Sequence, residues 1–276
     1  MTVVQLSDKK SEPEIGSRAE LEKLSAPSLA LQLRDGPSAT LSWLISQTSL
    51  NFAPGLFDKW PRGDGHPVLV VPGFLAGRAS TQVLRRFLRR QGYFVHDWHG
   101  GRNLGIRHGM IDRLAGRLRE IHAQHQRRIS IVGWSAGGIY ARELARRHPE
   151  LVRCVITLGS PIRGNPKAAS IWWLYSMLNT RTPQQRAALE PEARRLTEQP
   201  LQVPTSCLFS RADGVVAWQR CTSLPGPRTE NIEVQATHLG LGNSLETLFV
   251  IADRLAQEEG SWRAFSPSPD DRPNPD

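Results

Sequence analysis

From His66 onward the chain alternates between short apolar runs and longer stretches whose apolar residues recur at helical spacing. The short runs are PVLVVPGF at 67–74, FVHDWH at 94–99, RISIVGWS at 128–135, CVITLGS at 154–160, TSCLFSR at 205–211 and IEVQAT at 232–237. They have the length and composition of strands. Helical patterns fall between most of them: 81–91, then 108–125 with Ile111, Leu114, Leu118 and Ile121 on one face, then 136–148 with Ile139, Tyr140 and Leu144. The last spans 244–257, with Leu245, Leu248, Ile251 and Leu255 in phase and Asn243 and Glu246 spaced as a capping box. Strands that are apolar on both faces and alternate with helices predict an α/β fold, a mostly parallel sheet flanked by helices on both faces.

One connection breaks the rhythm. About 43 residues separate TLGSP at 157–161 from PTSCLFSR at 204–211, far beyond the ~2–6 residues of an ordinary loop in such a fold. The connection holds SIWWLYSML, apolar nearly all round, followed by the charged PQQRAALEPEARRLTEQ. It predicts a helical cap insertion at 162–203, over the C-terminal edge of the sheet. Ahead of the core, SLALQL and ATLSWLISQTSL read as short helices packed beside the main domain, with no chemical motif. Both chain ends are polar and Pro-rich. The expected organisation is a disordered tail at 1–20, an N-terminal helical segment at 21–65, an α/β domain at 66–258 and a second tail at 259–276.

The chemistry gathers at predicted strand ends. Ser135 lies in Gly133-Trp-Ser-Ala-Gly137, where a strand runs straight into a helix. A strained turn there lifts the hydroxyl out of the sheet, and the glycines make the turn sterically possible. The start of the following helix brings the Ala136 N–H beside the serine, placed to stabilise an oxyanion. A serine needs a base, and the base needs an acid to hold its tautomer. Asp213 follows SCLFS and His238 follows IEVQA, so acid and base arrive after later strands, in the order serine, acid, histidine. Gly73, after the first core strand, turns the backbone toward the serine and makes the Phe74 N–H the second oxyanion donor. Neither G-K-[ST] nor H-E-x-x-H occurs, so nucleotide and zinc chemistry lack their usual carriers.

These motifs, with VLVVPGF and VITLGSP, resemble the α/β-hydrolase superfamily and its lipase and esterase branch, over roughly residues 66–257. The resemblance implies a serine hydrolase acting on small-molecule or lipid carboxylic esters, with catalytic Ser135, Asp213 and His238 and an oxyanion hole at Phe74 and Ala136. Leu75, Trp134 and, from the cap, Trp172 and Trp173 are the expected substrate contacts. The reaction requires no metal or organic cofactor. Acyl transfer or thioester hydrolysis would use the same triad, and a non-catalytic binding module would use the same fold. Two departures bear on substrate class: Pro72-Gly73 stands where many lipases have His-Gly, and Ile162 follows GSP where several relatives have an aromatic residue or His.

Composition adds little to this. The 276 residues, 39% hydrophobic, suit one sizeable domain or two small ones. Lys+Arg 35 against Asp+Glu 26 gives +9, but Arg85, Arg86, Arg89 and Arg90 surround Val83, Leu84, Phe87 and Leu88 as solvated helix faces do. With no nucleic-acid motif, no nucleic-acid partner is expected, and membrane contact is not specifically indicated. The opening residues show no basic stretch leading into an apolar one, and no apolar run approaches ~18 residues, so the expected location is cytoplasmic. Cys154, Cys207 and Cys221 form no C-x-x-C pair. Cys154 and Cys207 read as small buried hydrophobes, and a Cys207–Cys221 bridge is left open.

Overall fold

The computed structural model describes residues 17–52, 54–105, 109–164 and 199–266. Its described strands are β1 (Pro67–Val71), β2 (Phe94–Asp97), β3 (Ile129–Trp134), β4 (Val152–Leu158), β5 (Thr205–Phe209) and β6 (Thr229–Glu233). They form one parallel sheet in the order β2-β1-β3-β4-β5-β6. Alternation along the strands divides the core in two. Val68, Val70, Val132, Ile156, Leu158 and Leu208 pack with α3 (Gln82–Arg90) and α6 (Leu245–Leu255). Leu69, Val71, Ile129, Ile131, Val152 and Val155 pack with α4 (Met110–His125) and α5 (Ala136–Arg147). Burying each such side chain contributes about 1.5–3 kcal/mol, which is why runs apolar at every position form the sheet's centre. The chain steps from β1 outward to β2 and returns across β1 to β3. The loops after β1 and β3 therefore leave in opposite directions and open a crevice at the C-terminal edge.

The helices follow the predicted pattern closely except before the sheet. After a short α1 (Arg18–Lys23), closed by a reciprocal Ser17–Glu20 capping box, the two pieces expected at 28–33 and 39–50 are one helix, α2 (Leu29–Phe52), with Pro37 inside it. Proline withholds a backbone N–H from the helix ladder, so DGP in this stretch reads as a break. Its polarity is also inverted. Asp35 and Ser46 are buried with Ala39 and Leu50, whereas Leu29, Leu33, Leu41, Leu44 and Phe52 are exposed.

Arg85 corrects the reading of α3 as a wholly solvated basic face. It is buried, and its guanidinium caps the preceding turn by donating to Thr81 Oγ1 and the Arg78 carbonyl. Arg153 and Arg254 are likewise internal: the first donates to Asp64 and the Gln257 carbonyl, the second to Glu230 and the Arg263 carbonyl. Part of the basic excess thus holds the interior together. Cys154, Cys207 and Cys221 are all free thiols. Among the described residues no helix is long and apolar enough to cross a membrane. The greater part of the expected cap, 165–198, lies outside the described residues.

The cap of α6 also differs from the capping box expected at Asn243 and Glu246. Ser244 is the N-cap and accepts from Thr247 N–H, while Glu246 turns back to accept from Gln235 N–H at 2.7 Å. Burial, opposed by that N–H and reinforced by Glu233, pushes the Glu246 carboxyl up to about 7. The folded protein therefore keeps a proton that the unfolded chain releases near its ordinary 4.5. This contribution to stability is complete below pH 4.5 and is lost as pH rises through about 7. Glu246→Gln keeps the carbonyl acceptor and should flatten that part of the profile. Melting curves across this range should show the variant gaining on the parent as pH rises, and parallel curves would count against the assignment.

Candidate active site

β3 enters α5 through a single residue in a rare conformation. Ser135 has φ 52° and ψ −122°, a region that ordinarily costs an L-residue about 1–3 kcal/mol. Its N–H donates to the Leu158 carbonyl of β4 at 2.8 Å, which anchors the turn. A Cβ at Gly133 would lie 2.5 Å from the Gly137 carbonyl oxygen, and one at Gly137 would collide with the Val71 carbonyl of β1. Both positions must be glycine for strand and helix to meet this tightly, and the outcome is a hydroxyl held at the C-terminal end of β3.

His238 reaches that hydroxyl from the loop after β6. Its Nε2 is 3.0 Å from Ser135 Oγ and its Nδ1 is 2.7 Å from Asp213 Oδ2, Asp213 lying on the loop after β5. A carboxylate only accepts hydrogen bonds, so the imidazole proton sits on Nδ1 and Nε2 is left as acceptor for the serine O–H. The other carboxylate oxygen, Oδ1, accepts the N–H groups of Val215 at 2.8 Å and Val216 at 2.7 Å. Burial disfavours charge on His238, but the Asp213 carboxylate, its hydrogen bond and the nearby Asp35 outweigh it and raise the pKa above the ordinary 6.5. The structure thus brings together Ser135, Asp213 and His238, three residues that the sequence places far apart.

The loop after β1 passes close beside the serine, with the Cβ position of Gly73 3.2 Å from Ser135 Cβ. Its course is set by Asn103, fully buried beyond β2. The Asn103 side-chain amide donates to the Pro72 carbonyl at 2.9 Å, and its backbone carbonyl accepts Leu75 N–H at 2.6 Å. Leu75 is held at φ 60° by this clamp. Sequence reasoning missed Asn103, whose surroundings, GGRNLG, look like any polar loop.

Trp134, expected to contact substrate, is buried in the core, and its indole N–H donates to the His238 carbonyl at 3.1 Å. It braces the base loop from below. Trp172 and Trp173 lie outside the described residues. The competing acids are elsewhere: Asp97, at the end of β2, accepts from Trp98 N–H and lies near Arg78, and Asp253 pairs with Arg254. His96 faces His125, and His122 contacts the Arg127 carbonyl.

A second Asp–His–Ser chain is instructive. His66 Nδ1 is 2.5 Å from Asp64 Oδ1 and its Nε2 is 2.8 Å from Ser130 Oγ. Ser130, however, sits early in β3, away from the crevice, and both it and His66 are fully buried. Burial and the neighbouring Arg153 push His66 down to about 4, the reverse of His238. Connectivity alone does not make an active site. Among the described residues, no group of three or more His, Cys, Asp or Glu is arranged to hold a metal.

The sequence matches no protein-family model and no curated protein. The fold, by contrast, is shared with many solved structures. Lipase B of Aspergillus fumigatus superposes with a TM-score of 0.55 at 17% identity, covering 71% of this chain, which spans 54% of that one. An esterase of Pyrococcus furiosus gives 0.52 at 16% identity, over 72% of this chain and 85% of the other. A monoacylglycerol lipase of Paleococcus ferrophilus gives 0.50 at 17% identity, over 71% and 96%. The chain has the α/β-hydrolase fold. At these identities the likeness defines the architecture alone.

Proposed function

We propose that this protein is a serine hydrolase that cleaves carboxylic esters, small or lipidic, through an acyl-enzyme on Ser135. The observation that carries the reading is the continuous Asp213–His238–Ser135 hydrogen-bonded chain, ending on a hydroxyl held in a strained turn at the crevice. Strain of this kind persists where the surroundings enforce it, characteristically at reactive groups. His238 Nε2 takes the Ser135 proton as Oγ attacks the ester carbonyl. The amides of Phe74 and Ala136 receive the developing oxyanion, and His238 returns the proton to the departing alcohol. Water then enters, loses a proton to the same nitrogen and attacks the acyl carbonyl. The tetrahedral intermediate collapses with cleavage of the Oγ–acyl bond, His238 returns the proton to Oγ, and the acid leaves with Ser135 restored. The ester-cleaving names of the structural relatives agree with this assignment.

The test is labelling with a fluorophosphonate beside a p-nitrophenyl ester series from short to long acyl chain. A stoichiometric adduct on Ser135 and ester turnover are expected; a protein that does neither is a binding module on the same fold. The histidine adds a pH signature. His238 works as a base only when neutral and its pKa is raised, so kcat/KM should fall as pH drops, with its acid limb above 6.5. An acid limb well below that value would contradict the pairing with Asp213.

A further inference from the structure

α2 buries a carboxylate, and its partners show what it is for. Asp35 is 2% exposed. Its Oδ2 accepts two backbone N–H groups, from Gly214 at 3.0 Å and from His238 at 2.8 Å, and its Oδ1 accepts Leu239 N–H at 2.8 Å. Gly214 directly follows the triad acid, and His238 is the triad base. One oxygen atom thus bridges the two loops whose separation sets the Asp213–His238 hydrogen bond. We infer that Asp35, supplied by a helix that precedes the sheet, is a positioning residue that clamps the acid loop to the base loop and holds His238 at its working distance from Ser135.

Three further observations agree. Ser46, about three turns along the same buried face, donates to the Asn243 carbonyl of the base loop, so both buried polar side chains of α2 bond to the chain just after β6 or to the acid loop. Thr237, beside His238, donates to the Asp35 carbonyl at 3.3 Å. The acid loop also lies directly on the α2 backbone: a Cβ on Gly214 would collide with the Leu31 carbonyl and lie 3.0 Å from Gln32 Cα. The glycine after Asp213 is therefore needed for contact with α2. A charged residue that faces inward while leucines face water has been placed there by its partners. The groups facing His238 are Asp213, Ser135 and Asp35, and the Asp35 charge adds to the rise in the imidazole pKa.

This role rests on the hydrolase reading, and the experiment separates the two. Asp35→Asn is isosteric but replaces one accepting oxygen by an N–H₂ group, so it cannot satisfy all three amides. It should lower kcat about 10- to 100-fold with KM changed less than about threefold, since the substrate is not touched and the geometry of the base is. The acid limb of kcat/KM should move to lower pH, because a negative charge near the imidazole has gone. The far-downfield NMR resonance of the His238 Nδ1 proton, observable in the parent whether or not it turns over ester, should broaden or vanish. Ser46→Ala is the structural control: it loosens α2, lowering the melting temperature, and should leave the resonance and the acid limb in place.

If Asp35→Asn does not fold, amide exchange in the parent decides. Gly214, His238 and Leu239 opening at one common rate supports the clamp, and independent openings overturn it. An Asp35→Asn protein that keeps the resonance, the acid limb and kcat overturns the positioning role while the hydrolase reading stands. A parent with the downfield proton but no fluorophosphonate adduct overturns the hydrolase reading, and the ring proton of Asp35→Asn still decides the clamp.

Discussion

Ser135→Ala is expected to reduce ester turnover by about 10³-fold or more and to abolish fluorophosphonate labelling, while the protein folds as before. In the proposed reaction the hydroxyl forms the covalent bond, so its loss would remove the pathway and leave only what the oxyanion amides and substrate binding supply. The cost to folding is small because among the described residues Oγ makes one side-chain hydrogen bond, to His238, and alanine keeps the Cβ already accommodated at φ 52°. The same backbone gives a second readout. Ser135→Gly removes the Cβ that makes this conformation costly and should be equally inactive yet melt higher than the alanine variant. Turnover retained by both in clean preparations would remove Ser135 from the chemistry.

The sheet and its four flanking helices were legible because burial on both faces of a parallel sheet leaves short runs of apolar side chains, and helices between them keep a one-sided pattern. Ser135, Asp213 and His238 were legible for a related reason. Each stands immediately after a strand or in the loop that follows one, and parallel strands bring such loops to one edge. What failed to show was whatever depends on a partner distant in sequence. Asp35 lies in DGP, which locally means a turn, and its bonding partners are 179, 203 and 204 residues away. The inverted polarity of α2 defeats periodicity outright, since the rule that apolar residues face inward fails where a buried carboxylate is matched by backbone donors. The packing role of Trp134 was not legible either: the side-chain direction in β3 that sends it beneath the His238 loop depends on a partner 104 residues away. Arg85 reads as surface from its spacing, and the Thr81 hydroxyl and Arg78 carbonyl to which it donates account for its burial.

Asp213→Asn should keep the fold and lower kcat about 10²- to 10⁴-fold with little change in KM. The local hydrogen bonds dictate how the asparagine sits. Val215 and Val216 both donate backbone N–H groups to Oδ1, so the amide carbonyl must occupy that place, and the amide N–H₂ is then turned toward His238 Nδ1. Faced with a donor, Nδ1 has to accept, which moves the imidazole proton to Nε2, opposite Ser135. The base is then protonated on the one nitrogen that must be free to receive. Distances barely change, which is why binding is spared and labelling of Ser135 slows in parallel with kcat. Loss of the carboxylate also removes the main influence raising the His238 pKa, so the acid limb should move to lower pH. Asp97→Asn, at the end of β2 and near Arg78, should leave turnover at the parent level. The opposite pair of results, turnover kept by Asp213→Asn and lost by Asp97→Asn, would place the acid on the second strand and not the fifth.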